Sequence, residues 1–322
     1  MAEVVASIII PVYNVENYLR ECLESIFVRQ KLLHKVEVIA VNDGSTDGSP
    51  EILEEYARKY GLTVINQKNQ GPGAARNNGM SAAKGKYILF IDSDDSFVTD
   101  ALNGILDILA SSDVDFVDFS MRSAKSLTGR VKFDRPVIGS GQAFFSAMQK
   151  KKGHSTVAWT KAVSKKFIVE RNISFPTGIY FEDEEWNVRL YAYAEKACLC
   201  PLKFYQYRKR DESMVHSHAF KSYTDSVIII DDLYDFSCSD NLSDEFKAAL
   251  RNHLSSIYFI ALQGVKTQGI YHEELISALE KRRYILRYSR IFHRKYFYRF
   301  LLAVLGVKTF FNLKYYHKNP AL

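Results

Sequence analysis

Between residue 4 and about residue 120, short β-branched runs alternate with amphipathic stretches. This is the pattern of βαβ units that build a mostly parallel sheet. The apolar runs predict strands at Val4–Pro11, Val36–Asn42, Leu62–Asn66, Lys86–Asp92 and Val114–Met121. Helical periodicity predicts helices near 15–29, 47–60, 72–84 and 99–111. Thr46–Asp47 and Thr99–Asp100 are the expected starts of two of them, with side chains able to take up free helix amides. From about 130 to 215 the pattern is mixed, with helices expected at 140–150 and 181–194 and a strand near 202–208. Beyond 216 the helical period runs to the end as three or four helices, with no internal repeat.

Parallel strands place functional loops at their C-terminal ends. Here those ends are Pro11-Val-Tyr-Asn14, Asn42-Asp-Gly-Ser45, Gln67 to Gly73 and Asp92-Ser-Asp-Asp95, all polar, turn-rich and expected to converge on one rim. In Ile88-Leu-Phe-Ile-Asp-Ser-Asp-Asp95 four apolar residues run into an acidic tip. Carboxylates so close raise one another's pKa unless a cation intervenes, and hard oxygen ligands suit Mg²⁺ or Mn²⁺. Read by itself the segment is either such a metal site or an acidic turn capping the next helix. Val41-Asn-Asp-Gly-Ser-Thr-Asp-Gly48 alone is a tight turn before a helix. Asn69-Gln-Gly-Pro-Gly-Ala-Ala-Arg-Asn-Asn-Gly79 fails the dinucleotide fingerprint, which needs Gly where Arg76 stands, and no Walker A can end at Gly85-Lys86. It leaves a glycine-permitted close approach to a ligand, with Arg76 as a donor near a helix start.

Taken in order, Ile9-Ile-Pro-Val-Tyr-Asn14, Val41 to Asp47, Gly71 to Gly79 and Asp92 to Asp95 resemble the nucleotide-sugar half of glycosyltransferase family 2, inverting enzymes of the GT-A fold. The resemblance implies an α/β, Rossmann-like, mostly parallel sheet with helices on both faces, followed by a C-terminal helical region. It implies that Pro11, Tyr13, Glu16 and Asp43 face the nucleoside, that Arg76 sits near the base, and that Asp92 and Asp94 form a DXD pair at ribose, diphosphate and metal. Phe181-Glu-Asp-Glu-Glu-Trp186 resembles the family's Glu-Asp motif, making Asp183 the general base with Glu182 beside it. Glu184 and Glu185 stand close enough to compete for that role, and read alone the run is an acidic helix start. Tyr207 to His216 resembles the segment that closes over the donor diphosphate, with Arg208, Arg210 and Ser213 as donors and His216 or His218 as a further metal ligand. Trp159 and Trp186 are either a stacking wall for sugar or core. The resemblance covers about residues 4–216.

Charge then divides the chain. The formal charge of +6 separates into −5 for the first 280 residues and +11 for residues 281–322, which hold eleven Lys/Arg and no Asp or Glu. Arg283, Arg287, Arg290 and Arg294 fall on one stripe of a helix, with Ile285, Tyr288, Phe292 and Tyr296 beside it. Such a tail can lie on an anionic lipid surface; a solvated or core-facing helix and a dimer contact are the other readings. No nucleic-acid motif accompanies it. The longest late apolar run, Phe300 to Val307, falls well short of the ~20 residues that span a bilayer. The N-terminal run is short and β-branched, as in a strand rather than a signal peptide. Four scattered cysteines suit a reducing compartment.

The expected division is 1–216 catalytic domain, 217–280 helical appendage and 281–322 basic aromatic tail. The expected function is metal-assisted inverting transfer from a nucleotide-diphosphate donor, a UDP-sugar, to a hydroxyl of a polysaccharide or lipid-linked acceptor. The enzyme would work in the cytoplasm, peripheral to the inner face of the membrane, as a monomer or homo-oligomer. A polyprenyl-phosphate acceptor, a nucleotidyltransferase and a non-catalytic membrane-surface adaptor are the alternatives.

Overall fold

The computed structural model describes residues 4–28, 35–119, 135–151, 156–208, 220–267, 270–289 and 305–309. The chain divides into two compact units, Met1–Asp211 and Glu212–Leu322.

The first unit opens with β1 (Ala6–Val12), α1 (Glu16–Phe27), β2 (Val36–Asn42), α2 (Ser49–Tyr60), β3 (Thr63–Asn66), α3 (Pro72–Ala82) and β4 (Tyr87–Phe90). After β4 come β5 (Ser96–Phe97), α4 (Ala101–Ser111), β6 (Phe116–Phe119), β7 (Val137–Gly139) and α5 (Gly141–Lys151). The unit ends with β8 (Lys161–Ser164), α6 (Lys165–Glu170), α7 (Glu182–Tyr193), β9 (Ala197–Cys200) and β10 (Tyr205–Gln206). Eight strands form one sheet in the order β3-β2-β1-β4-β8-β6-β9-β7. The half from β3 to β4 is parallel, as the alternation predicts. β8 enters antiparallel between β4 and β6, and β7 runs antiparallel on the far edge, so the sheet is mixed.

β1 is buried on both faces, which is why it reads as a continuous β-branched run. Ala6, Ile8, Ile10 and Val12 join Leu19, Leu23 and Ile26 of α1 and Ile52 and Leu53 of α2 in one core. The opposite face meets α3 through glycine: a Cβ at Gly79 would stand 2.4 Å from Ile9 Cγ2. Neither Thr46 nor Asp100 caps a helix with its side chain. Asp47 takes the Ser49 amide instead, and Asp100 precedes α4 at φ 58°. β7, β8 and β9 were not expected from the pattern. The strand expected at 202–208 shrinks to Tyr205–Gln206, paired with β5 outside the main sheet.

The second unit contains α8 (Phe220–Phe236), α9 (Asp244–Ala261), a two-stranded ribbon of β11 (Lys266–Thr267) and β12 (Ile270–Tyr271), and α10 (Glu273–Lys281). Ser243 caps α9, accepting the Phe246 amide at 3.3 Å. Residues Arg283–Tyr288 form a 3₁₀ helix rather than the expected α-helical stripe, with Ile285 and Leu286 buried. Arg282 pairs with Asp231 and Arg283 with Glu280. These local acids and the buried apolar pair fold the first turns of the tail into this unit. Arg290, Phe292, Arg294 and Tyr296 lie outside the described residues. Among the described residues no helix is long and apolar enough to cross a membrane.

Candidate active site

The loops after β1 and β2 are stitched together. Asn14, at φ 49°, accepts the Thr46 amide at 2.8 Å, and its own amide donates to Ser45 Oγ at 3.1 Å. The Glu16 amide donates to Asp47, and the Glu16 carboxylate accepts the Gly48 amide at 2.6 Å. Burial raises the Asp47 carboxyl, but donors from Glu16 and Ser49 outweigh it and hold the group below its ordinary value. Asp43 is buried and accepts Gln67 Nε2 at 2.7 Å and the amides of Gln70 and Gly71 at 2.8 Å each. Glu16 and Asp43 thus shape the rim through loop contacts. Pro11 is the penultimate residue of β1, and Tyr13, just past the strand, is 49% exposed.

Arg76 lies on α3, and the structure places it between two carboxylates. Its guanidinium donates to Asp92 Oδ1 at 2.9 Å and to Glu182 Oε1 at 2.5 Å, over the ring of Phe175. It is buried; desolvation opposes its charge, and Asp92, Glu182 and Asp183 together overcome this and raise its pKa. The Glu182 contact joins α3 to the start of α7 across 106 residues of sequence. α3 approaches this region closely because residue 73 is glycine: a Cβ there would stand 2.5 Å from Pro176 O and 3.2 Å from Glu182 Cγ. Asn77 fastens the same segment, exchanging two hydrogen bonds with the Phe175 backbone.

The acidic tip has a support that pattern reading missed. Tyr205 donates to Asp95 Oδ2 at 2.7 Å and accepts the Asp92 amide at 3.1 Å, and Trp159 stacks on its ring at 4.0 Å. Asp95 Oδ1 accepts the Arg208 amide, while the Arg208 side chain reaches the Asp94 carbonyl and Glu21. Burial, then Asp92, pushes the Asp95 carboxyl up to about 8. A tip so strained by like charge, built from hard oxygens, fits a divalent cation, with Asp92 and Asp94, both partly exposed, as its side-chain ligands. Among the described residues no three carboxylate, His or Cys groups are arranged to hold a metal. Arg210, Ser213, His216 and His218 lie outside the described residues.

α7 starts from Phe181 in the left-handed region, φ 62° and ψ 34°, a conformation that costs a bulky residue about 1–3 kcal/mol and clusters at functional sites. Four acidic residues follow, and their contacts separate them. Glu182 is buried on Arg76, Glu184 accepts Thr156 Oγ1 at 2.9 Å, and Glu185 pairs with Arg189 at 2.5 Å. Asp183 keeps partial solvent access, and its carboxylate accepts no hydrogen bond among the described residues. Burial, then Glu182 and Glu184, pushes its pKa well up, against the pull of Arg76. Neither tryptophan forms an open wall: Trp186 stacks on Phe175 at 4.5 Å inside the core, and Trp159 is buried against Tyr205.

Known proteins resemble this chain in sequence and in fold. Residues 7–171 match the family described as Glycosyl transferase family 2. The chain belongs to that family. This glycosyltransferase is 32% identical over 256 residues to EpsH of Bacillus subtilis strain 168, covering 76% of this chain and 72% of EpsH. It is 33% identical over 216 residues to a poly(ribitol-phosphate) beta-glucosyltransferase of Bacillus spizizenii, covering 64% of this chain and 32% of that one. In fold, the enzyme resembles S. aureus TarS 1-349 in complex with UDP, with a TM-score of 0.71, 18% identity and coverage of 98% and 92%. The same TarS fragment with UDP-GlcNAc gives a TM-score of 0.66 at 21% identity, covering 88% of this chain and 84% of that one. The fold is thus the α/β GT-A type with a helical C-terminal region, and the protein is a glycosyltransferase.

Proposed function

We propose that this glycosyltransferase moves a sugar, with inversion, from a UDP-sugar to a hydroxyl of a bacterial cell-envelope polymer or its lipid-linked precursor. The donor reading is supported by the complexes of TarS with UDP and UDP-GlcNAc. The acceptor class is supported by the resemblance to a poly(ribitol-phosphate) glucosyltransferase. The observation that carries the mechanism is the chain Asp92–Arg76–Glu182 beside Asp183, whose carboxylate accepts no hydrogen bond among the described residues.

In this reading Pro11, Tyr13, Glu16 and Asp43 form the nucleoside end of the rim, the last two by shaping its loops. Asp92 and Asp94 hold Mg²⁺ or Mn²⁺, which when bound neutralises charge on the departing diphosphate. Arg208 stands at the same tip, and Arg210, Ser213 and His216 follow it in the closing segment. Asp183 takes the acceptor hydroxyl's proton on the face opposite the leaving group, as single-step inversion requires. Its raised pKa makes it a better base than a solvated aspartate, while Glu182 is occupied in orienting Arg76. The basic residues beyond 281 bring the enzyme to an anionic membrane surface where lipid-linked acceptors reside.

Asp183→Asn is expected to lower turnover about 10²–10⁴-fold while UDP affinity in the presence of Mn²⁺, read by calorimetry, stays within about twofold of the parent, because the substitution spares every donor-side contact. Parent-like turnover in that variant would remove Asp183 from the mechanism.

A further inference from the structure

Among the apolar residues that α7 buries (Trp186, Val188, Leu190 and Ala192) runs one polar row. Asp183, Asn187 and Tyr191 follow at i, i+4 and i+8, and Asn187 and Tyr191 are wholly buried. Asn187 Nδ2 donates to the Thr156 carbonyl and, at 2.8 Å, to the Asp183 carbonyl, while Thr156 Oγ1 donates to Glu184. Two turns below Asp183, the Tyr191 hydroxyl donates to Asp118 Oδ2. Lys161 Nζ, 0% exposed, lies 3.6 Å from that same oxygen and 5.8 Å from the Tyr191 ring centroid. It also donates to Val157 O at 3.2 Å and Thr160 Oγ1 at 3.0 Å. Asp118 and Lys161 are register partners of β6 and β8, so the ion pair is built into the sheet.

Burying such a pair is expensive, and apolar residues of similar volume are often neutral or better for stability. What directional bonds add is a single register. Apolar contacts let a helix slide or turn by a fraction of a turn, whereas a hydroxyl aimed at a carboxylate does not.

We propose that Lys161, acting through Asp118 and Tyr191, is a positioning residue for Asp183: this seam holds α7 in the register that presents Asp183 to the acceptor. The proposal rests on the reading of Asp183 as the base. Charge works in the same direction. Asp183 feels Glu182 and Glu184 on its own helix, Asp92 at the end of β4 and Arg76 on α3, and it interacts electrostatically with Lys161 of β8. The carboxylates disfavour its ionised form and the two cations favour it. Burial lowers the Lys161 pKa, while Asp118 and Asp183 pull it back up.

Two full-length variants test this against the parent, with UDP binding in Mn²⁺, kcat and the pH–rate profile as readouts. Tyr191→Phe keeps the ring and the buried charges but loses the hydroxyl that ties α7 to the sheet. It is expected to lower kcat about tenfold or more at unchanged UDP affinity, with the acid limb of the profile in place. Lys161→Met is expected to move that limb to higher pH, because a buried cation that interacts electrostatically with Asp183 is gone. Should Lys161→Met fail to fold, Tyr191→Phe decides alone: parent-like kcat, or a loss of UDP affinity that accounts for the whole drop, overturns the proposal. An unmoved limb in a folded Lys161→Met variant overturns the electrostatic half. Both outcomes leave Asp183 as the base if Asp183→Asn is inactive. Turnover surviving in Asp183→Asn would instead defeat the base assignment, and the proposal with it.

Discussion

Asp183 carries a stability consequence as well as a catalytic one. Its folded-state pKa is raised by burial and by Glu182 and Glu184. Between the ordinary aspartate value and the raised one, the folded chain therefore holds a proton that the unfolded chain has released. That contribution to stability is complete below the ordinary value and lost as pH rises through the raised one. Asp183→Asn is accordingly expected to be more stable than the parent above this window and indistinguishable below it, as read by denaturant midpoints across pH. Arg76 behaves oppositely. It is buried between Asp92 and Glu182, so Arg76→Met leaves Glu182 without its cation and is expected to cost about 3–5 kcal/mol of unfolding free energy. A loss under 1 kcal/mol in urea unfolding would contradict the bridge.

At the scale of elements, the site depends on how closely α3 approaches the segment before α7. Gly73 permits that approach, since a Cβ there would meet the Pro176 carbonyl at 2.5 Å. Gly73→Ala is expected to cost about 1–3 kcal/mol through overpacking. It should also weaken transfer more than a core substitution of equal cost, such as Ile52→Val, because it pushes Glu182 off Arg76. Equal activity losses at matched stability would show the contact to be structural only. The four strand-end loops were legible because each is a local polar turn after an apolar run, and the local signal is what periodicity reads. β8 and β9 were not. Lys161-Ala-Val-Ser164 carries a buried lysine, and Ala197-Cys-Leu-Cys200 is apolar without β-branching, so neither has a strand signature.

At the scale of the whole molecule, the basic excess lies beyond residue 281, and its first turns are occupied within the second unit. Ile285 and Leu286 are buried, and Arg282 and Arg283 face Asp231 and Glu280. In the proposed membrane-surface reading, attachment falls to the other basic residues, each contributing about 1 kcal/mol near anionic lipid. The full chain is expected to sediment with phosphatidylglycerol vesicles but not with phosphatidylcholine vesicles, and to be released by 0.5 M salt (roughly a fourfold to fivefold shorter screening range than in 0.02 M salt). Equal binding to both lipids would remove the electrostatic reading. The sequence by itself determined the parallel half of the sheet, the four rim loops and the acidic start of α7, because each is written in contiguous residues. Only the tertiary structure decided that Arg76 bridges Asp92 and Glu182, that Tyr205 and Trp159 support the acidic tip, and that Lys161 lies under α7. The Arg76–Glu182 and Tyr205–Asp92 contacts join residues more than 100 positions apart along the chain, and Lys161 reaches Asp118 from a strand inserted against the direction of its neighbours. Periodicity has no access to such pairings, which arise only when close packing chooses which buried charges meet.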